Sequence, residues 1–108
     1  MILFREFDKE SNLDKIWYES SMIVYSECYD NPSSPLKELT VTFKNGGTYK
    51  YLDVDVNDYV MFVHGGIDGS NGKALNKHIK PKCECIRLDN RDVQELKEIL
   101  ENKTIKKE

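Results

Sequence analysis

The fold of this chain is decided by residues 39–51, which read Leu39-Thr40-Val41-Thr42-Phe43-Lys44-Asn45-Gly46-Gly47-Thr48-Tyr49-Lys50-Tyr51. Apolar or aromatic residues alternate with polar residues on both sides of Asn45-Gly46, which is typical of half-buried β-strands. The Asn-Gly pair itself favours a tight hairpin turn. The segment therefore predicts two adjacent antiparallel strands, around which the rest of the domain is built.

The turn sequence is compatible with two registers of this hairpin. A two-residue loop of Asn45-Gly46 would place Tyr49 and Tyr51 on the threonine face of the sheet. If Gly47 joins the loop in a bulged turn, both tyrosines fall on the apolar face instead. In either register the two tyrosines share one face.

The flanking sequence predicts more strands and several short helices. Met22 to Tyr29 alternates and is rich in β-forming residues, and Cys83 to Leu88 reads as a closing strand. Apolar residues recur at helical spacing over 56–63, a short helix follows Ser70, and a third begins at Asp89 or Asn90. We expect an α+β domain in which an antiparallel meander of three or four strands packs with two or three short helices.

The composition indicates which class of protein this chain belongs to. The chain has 108 residues, 39% hydrophobic and 32% charged, which fits one globular domain. No apolar run approaches the roughly 20 residues of a membrane-spanning helix. Three cysteines make an odd count, which favours reduced thiols over a disulfide framework. The apolar stretch Met1-Ile2-Leu3-Phe4 is too short for the core of a signal peptide, so we expect a cytoplasmic protein.

The net charge of −3 is unevenly distributed along the chain. Residues 52–69 hold four aspartates and no lysine or arginine, whereas residues 70–88 hold five bases against one glutamate. A local positive patch of this size suits a small anionic ligand better than a nucleic-acid duplex.

Four short motifs follow one another along the middle of the chain. They are Ser20-Ser21, Phe43-Lys44-Asn45-Gly46, Tyr49-Lys50-Tyr51, and Ser70-Asn71-Gly72 leading to Asn76-Lys77-His78-Ile79. Their order resembles the KTSC domain, a small module that is attached to some lysyl-tRNA synthetases and also occurs as a stand-alone phage or bacterial protein. The resemblance implies a binding module and supplies no catalytic chemistry.

The same resemblance sets the expected domain boundaries. Residues 20–88 would be the KTSC-like domain. Residues 1–19 would form an N-terminal extension packed on the core, and residues 89–108 a C-terminal helix with a frayed tail.

The best candidate site is the helix start at Gly69-Ser70-Asn71-Gly72-Lys73. Unpaired backbone amides at a helix start attract anions, and Lys73 and Lys77 add positive charge one turn apart. The segment does not fit a nucleoside-triphosphatase loop, because Ile67 and Ala74 occupy two of its required positions. An ordinary capped helix behind a glycine turn would have the same sequence.

The aromatic and hydroxyl residues of the motifs extend this candidate site. Tyr49 and Tyr51 would stack on a base, or else fill the core with their hydroxyl groups hydrogen-bonded. Ser20 and Ser21 would bond a ribose or phosphate, or form a strand-entry turn. Asn76 would bond the ligand or fix the preceding loop.

The sequence gives less support for a catalytic site or a metal site than for a ligand-binding site. His64 and His78 have no nucleophile or supporting carboxylate evident in the sequence. Cys83-Glu84-Cys85 with His78 is at most a fragment of a zinc site, and reduced thiols explain the cysteines better. We expect no catalytic residue, no bound metal and no cofactor.

These observations predict a non-catalytic domain that binds a phosphate-bearing, nucleotide-type ligand. The predicted ligand-binding residues are Ser20, Ser21, Tyr49, Tyr51, Ser70, Asn71, Gly72, Lys73, Asn76 and Lys77. The composition is similar to that of small phage proteins, so one hypothesis is a homo-oligomer that sequesters a nucleotide immune signal in the host cytoplasm. Two alternatives stay open: a module that binds single-stranded RNA or tRNA, and a protein-interaction module that uses the C-terminal helix.

Overall fold

The computed structural model of the chain describes residues 2–65 and 70–105. One antiparallel sheet has six strands in sequential order, β1 (Ile2–Asp8), β2 (Leu13–Tyr18), β3 (Ile23–Tyr29), β4 (Lys37–Phe43), β5 (Thr48–Val54) and β6 (Cys85–Leu88). The helices are α1 (Val56–Val63), α2 (Asn71–Ala74), which continues as a π-helical turn over Leu75–Ile79, and α3 (Val93–Ile105). None of the helices in this described part is long and apolar enough to cross a membrane.

The α+β class, the antiparallel sheet and the three helices are as predicted, but the strand count was wrong. The sheet has six strands because the N-terminal residues form the hairpin of β1 and β2 at one edge. In β2, Ile16 and Tyr18 pack on one face while Trp17 packs on the other. A strand buried on both faces lacks the alternation of apolar and polar residues that identifies a half-buried strand. The sequence pattern therefore did not predict β2.

Two hydrophobic cores lie on opposite faces of the sheet. The larger core packs the sheet against α1, α2 and the π-helical turn, and it contains Ile16, Tyr18, Ile23, Cys28, Leu39, Val41, Tyr51, Val54, Tyr59, Phe62, Val63, Leu75 and Ile79. The smaller core packs the other face against α3 through Trp17, Val24, Tyr25 and Leu96, with Phe4, Val93, Ile99 and Leu100 around them. We call these the first face and the second face of the sheet.

The central hairpin resolves the open register. Phe43 donates its amide to the carbonyl of Gly47, and Val41 pairs with Tyr49, so three residues, Lys44 to Gly46, form the loop. The tyrosines therefore lie on the first face, the face that the bulged turn predicted. The additional loop residue is Lys44 rather than Gly47, because Gly46 takes the left-handed conformation at φ 89°.

The helix caps follow local sequence signals. The carboxylate of Asp55 accepts a hydrogen bond from the amide of Asn57 at 2.8 Å and caps α1. Ser70 caps α2, and Asp92 accepts from the amide of Gln94 at 2.9 Å at the start of α3. Residues 66–69 of the predicted glycine-rich loop lie outside the described residues.

Candidate functional site

The predicted helix start is held by contacts within the protein. The hydroxyl group of Ser70 accepts from the amide of Lys73 at 3.3 Å. The side-chain amide of Asn71 is 2% exposed and donates to the carbonyls of Phe62 at 2.7 Å and Val63 at 3.0 Å. Asn71 thus satisfies carbonyls at the end of α1, which is a structural role and not the predicted ligand contact.

Gly72 allows two parts of the chain to approach closely. A β-carbon on Gly72 would lie 2.6 Å from the sulfur of Met22. Met22 belongs to the turn between β2 and β3, where the hydroxyl of Ser20 accepts from the amide of Met22 at 3.2 Å. The first and last motifs therefore meet in space, and Ser20 acts as a turn residue while Ser21 is exposed. Gly72 is covered by Met22, so the predicted ligand contact there does not fit.

The two tyrosines have different environments. Tyr51 is 2% exposed, and burial raises the pKa of its hydroxyl group. A ring buried this deeply does not stack on a ligand at the surface, so the predicted role of Tyr51 is corrected to a core residue. Tyr49 is half-buried.

Two exposed cations, Lys80 and Arg87, flank two half-buried aromatic rings, Phe43 and Tyr49. The Nζ of Lys80 lies 5.6 Å from the ring centre of Phe43, and the guanidinium carbon of Arg87 lies 5.9 Å from the ring centre of Tyr49. The two rings pack edge to face with their centres 5.8 Å apart and their planes at 76°. We call these four residues the basic–aromatic strip.

The helical segment extends the positive charge of this strip. Lys73 lies on α2, Lys77 in the π-helical turn and Lys80 directly after it, and all three are exposed, as is Asn76. Within residues 2–65 and 70–105, neither these lysines nor Arg87 forms an ion pair. Their charge is therefore available to a phosphate.

The sequence predicted part of this arrangement. Lys73, Asn76, Lys77 and Tyr49 remain accessible at or near the strip. Phe43, Lys80 and Arg87 were missed as site residues, although the excess of bases over 70–88 was a signal for the last two. Phe43 begins one of the four motifs, but its position on the apolar side of its strand favoured a core residue over a site residue.

A cavity of about 450 Å³ lies on the second face, beneath α3. Trp17 and Tyr25 form its floor, but each is at most 4% exposed. The cations at its wall already have acidic partners, since Arg91 binds Glu27 at 2.7 Å and Lys103 binds Glu6 at 2.6 Å. The cavity thus offers a ligand less unpaired charge than the strip does.

The cysteines and histidines do not come together in the described part of the chain. No group of three metal-binding side chains occurs there. Cys28 is buried in the first core, and burial raises the pKa of its thiol to about 12. Cys83, half-buried, and Cys85, exposed, are free thiols, and His64 and His78 lie in different elements.

Comparison with known protein families assigns the chain. The KTSC domain model matches residues 19–82, which is more than half of the sequence. The chain belongs to the KTSC domain family. No curated protein is recognisably similar to it.

The KTSC match covers only part of the folded unit. It includes β3, β4, β5, α1 and α2, whereas β1, β2, β6 and α3 lie outside it. Of the residues that build the second core, only Val24 and Tyr25 fall within the match. The segments on either side of the KTSC match therefore meet and pack together on the second face of its sheet.

Proposed function

We propose that this KTSC protein binds a phosphate-bearing, nucleotide-type ligand on the basic–aromatic strip and performs no chemistry on it. The proposal rests on one observation. The half-buried rings of Phe43 and Tyr49 lie beneath Lys80 and Arg87, two cations that form no ion pair among the described residues. Bases stack on aromatic faces with about 1–3 kcal/mol each, and lysine and arginine bind phosphate. An aromatic ring for the base and a cation for the phosphate are therefore present on one surface.

The angle between the rings limits the ligand to one stacked base. Because the planes of Phe43 and Tyr49 lie at 76°, they do not form one flat platform for two successive bases. A base stacked on Tyr49 would lie at the same steep angle to Phe43, so only one of the two rings stacks on it. This geometry supports a short nucleotide over a long strand.

The cations over the rings are suited to exchange places with a base. Lys80 and Arg87 are exposed side chains with flexible stems. When a base takes the position above Tyr49, Arg87 moves aside and pairs with the phosphate. Lys77, three residues before Lys80 on the same helical segment, supplies further charge.

A binding protein that leaves its ligand intact acts by capture. We propose that this chain lowers the free concentration of a nucleotide signal, as expected for a small phage protein that counters a host defence. Such capture needs protein in excess of the ligand and a dissociation constant below the ligand's cellular concentration.

Isothermal titration calorimetry with ADP-ribose derivatives, cyclic dinucleotides and mononucleotides tests this proposal. We expect heat from at least one of them, and a loss of at least about tenfold in affinity for Tyr49→Leu and Arg87→Gln. The matched control is Lys97→Gln, because Lys97 is an exposed base on α3 at the other face of the sheet. No heat with any compound, or equal losses for Arg87→Gln and Lys97→Gln, would overturn the proposal.

Single-stranded RNA is a second candidate, favoured by the spacing of Lys73, Lys77 and Lys80 along one exposed segment. Such a row could contact successive phosphates. Binding to RNA releases counterions, so the affinity would fall steeply with added salt, whereas one stacked nucleotide depends on salt much less. Fluorescence anisotropy with a labelled oligonucleotide at two salt concentrations distinguishes the two ligands.

A further inference from the structure

The last strand of the sheet has an open side. β6 lies at the edge of the sheet, and among the strands that the structure describes only β5 pairs with it. All four of its residues are exposed. An exposed edge strand presents backbone donors and acceptors to another strand.

The pairing with β5 shows which peptide groups face outward. The carbonyl of Glu84 accepts from the amide of Leu52 at 2.9 Å, so Leu52 and Glu84 form a hydrogen-bonded pair. In an antiparallel ladder such pairs alternate, and Ile86 and Leu88 therefore also bond to β5. The peptide groups of Cys85 and Arg87 point away from the sheet.

The side chains of β6 divide by face. Ile86 and Leu88 are exposed by 44% and 36% and lie on the second face, opposite Lys50 and Thr48 of β5. Cys85 and Arg87 lie on the first face. The edge thus combines outward backbone groups with an exposed apolar pair on one side.

We infer that β6 pairs antiparallel with β6 of a second copy of this chain, about a two-fold axis at Ile86. In this register Cys85 lies opposite Arg87 of the second copy, and the outward peptide groups of both residues form four hydrogen bonds. Ile86 meets Ile86 of the second copy on the second face. Apolar residues directly opposite each other stabilise a strand pair.

Neighbouring registers are less favourable. A pairing centred on Arg87 sets two guanidinium groups directly opposite each other, and like charges in that position destabilise a sheet. A pairing centred on Cys85 sets Ile86 opposite Glu84 and loses the apolar contact. At the other edge, centring β1 on Arg5 or Glu6 also opposes like charges.

The pairing has a consequence for the candidate site. A two-fold axis perpendicular to the sheet keeps the first face of both copies on the same side. Arg87, and Tyr49 beneath it, would then lie near the junction in each copy. The two basic–aromatic strips become neighbours on one continuous surface. The association itself rests on the edge of the sheet and does not depend on the proposed ligand.

Disulfide trapping tests the register in the full chain. In a Cys83→Ser, Cys85→Ser background, Ile86→Cys should form a covalent dimer rapidly under mild oxidation, because the two Ile86 positions face each other in a closely spaced pair. Leu88→Cys in the same background is the control, since Leu88 would lie opposite Glu84. Trapping of Leu88→Cys as fast as Ile86→Cys would overturn the arrangement.

Sedimentation velocity tests the association without a cross-link. The unmodified chain should show a concentration-dependent dimer, and Ile86→Lys should weaken it at least about tenfold because two lysines then face each other. Leu3→Lys is the matched control, since Leu3 is 45% exposed on β1 at the opposite edge. A monomer at concentrations up to about 1 mM, the range of very weak complexes, or an equal effect of both lysines, would overturn the inference.

Discussion

The Nη1 of Arg91 lies 2.7 Å from the Oε1 of Glu27, and the hydroxyl of Tyr25 donates to the same oxygen at 2.9 Å. The guanidinium carbon also lies 5.5 Å from the ring centre of Tyr25. Arg91 precedes α3, whereas its partners belong to β3. This cluster joins the connection before α3 to the middle of the sheet.

Replacing Arg91 should therefore cost more than replacing an ordinary surface base. Arg91→Met leaves the half-buried Glu27 without its charged partner, and we expect a loss of about 1–2 kcal/mol in the free energy of unfolding. Solvent screening limits this loss, because the side chain of Arg91 is 38% exposed. Urea unfolding measures it.

The control for this prediction is Lys37→Met. Lys37 pairs with Asp30 at 3.0 Å, but the carboxylate is 58% exposed. Its loss should cost less than about 0.5 kcal/mol. Equal losses for the two variants would show that the Arg91 cluster contributes no more than a surface ion pair.

The two glycines of the central hairpin should respond differently to alanine. Gly46 has φ 89°, and a β-carbon there would lie 2.9 Å from the carbonyl oxygen of Arg91. The left-handed conformation alone costs a non-glycine residue roughly 1–2 kcal/mol, and the backbone contact adds to it. We expect Gly46→Ala to cost at least about 2 kcal/mol.

Gly47→Ala is the matched comparison. Its nearest contact is the side-chain oxygen of Asn45 at 3.0 Å, which is able to move. Its loss should stay below about 1 kcal/mol. Thermal unfolding of both variants checks the difference, and a greater loss for Gly47→Ala would contradict the hairpin geometry.

The packing of α3 should be visible in the fluorescence of the single tryptophan. Trp17 is 2% exposed and donates from Nε1 to the carbonyl of Leu96 at 3.1 Å. Leu96→Ala removes a buried side chain from the small second core and should cost about 2–4 kcal/mol. The emission of Trp17 should shift to longer wavelength as water reaches the ring.

Leu36→Ala serves as the control for α3, because Leu36 is 38% exposed. It should change stability by less than about 0.5 kcal/mol and leave the emission unchanged. An unshifted emission in Leu96→Ala would mean that α3 does not protect Trp17.

Stability should fall as the solution becomes alkaline. Burial raises the pKa of the Cys28 thiol to about 12 from its ordinary value near 9. Between these values the unfolded chain loses the proton while the folded chain keeps it, so the free energy of unfolding decreases with pH. Burial also raises the pKa of the hydroxyl groups of Tyr18, Tyr51 and Tyr59, which extends the decrease.

Urea unfolding in reducing buffer between pH 8 and pH 11, a range that starts below the ordinary thiol pKa near 9, measures this decrease. Each such group contributes at most about 1.4 kcal/mol per pH unit. Cys28→Val removes the contribution of the thiol and should flatten the profile, whereas Cys85→Ser, at an exposed position, should not. A profile unchanged by Cys28→Val would contradict the assignment.

The elements with local signals were predictable from the sequence. The alternation around Asn45-Gly46 predicted β4 and β5, and the helical spacing over 56–63 and after Ser70 predicted α1 and α2. These signals involve residues within a few positions of one another, so they can be recognised without knowledge of the tertiary contacts. The hairpin of β1 and β2 was missed, because Trp17 and its neighbours are buried on both sides.

The candidate site was predictable only in part, because several of its contacts join residues that are far apart in the chain. The excess of bases over 70–88 predicted a positive surface, and Lys73 and Lys77 are exposed on it. The burial of Tyr51 followed from a single change in hairpin register, which sequence patterning left open. The contact between Asn71 and the end of α1 depends on how two helices meet.

The sequence by itself determined the antiparallel hairpin, the helix starts, the membership of the KTSC family and the concentration of positive charge. Only the tertiary structure decided which aromatic rings lie beneath those charges. Phe43 and Lys80 are distant in the chain, and their contact depends on how the helical segment packs across the sheet. Local propensity acts over a few residues, whereas a binding surface is made by packing between segments that the sequence alone does not bring together.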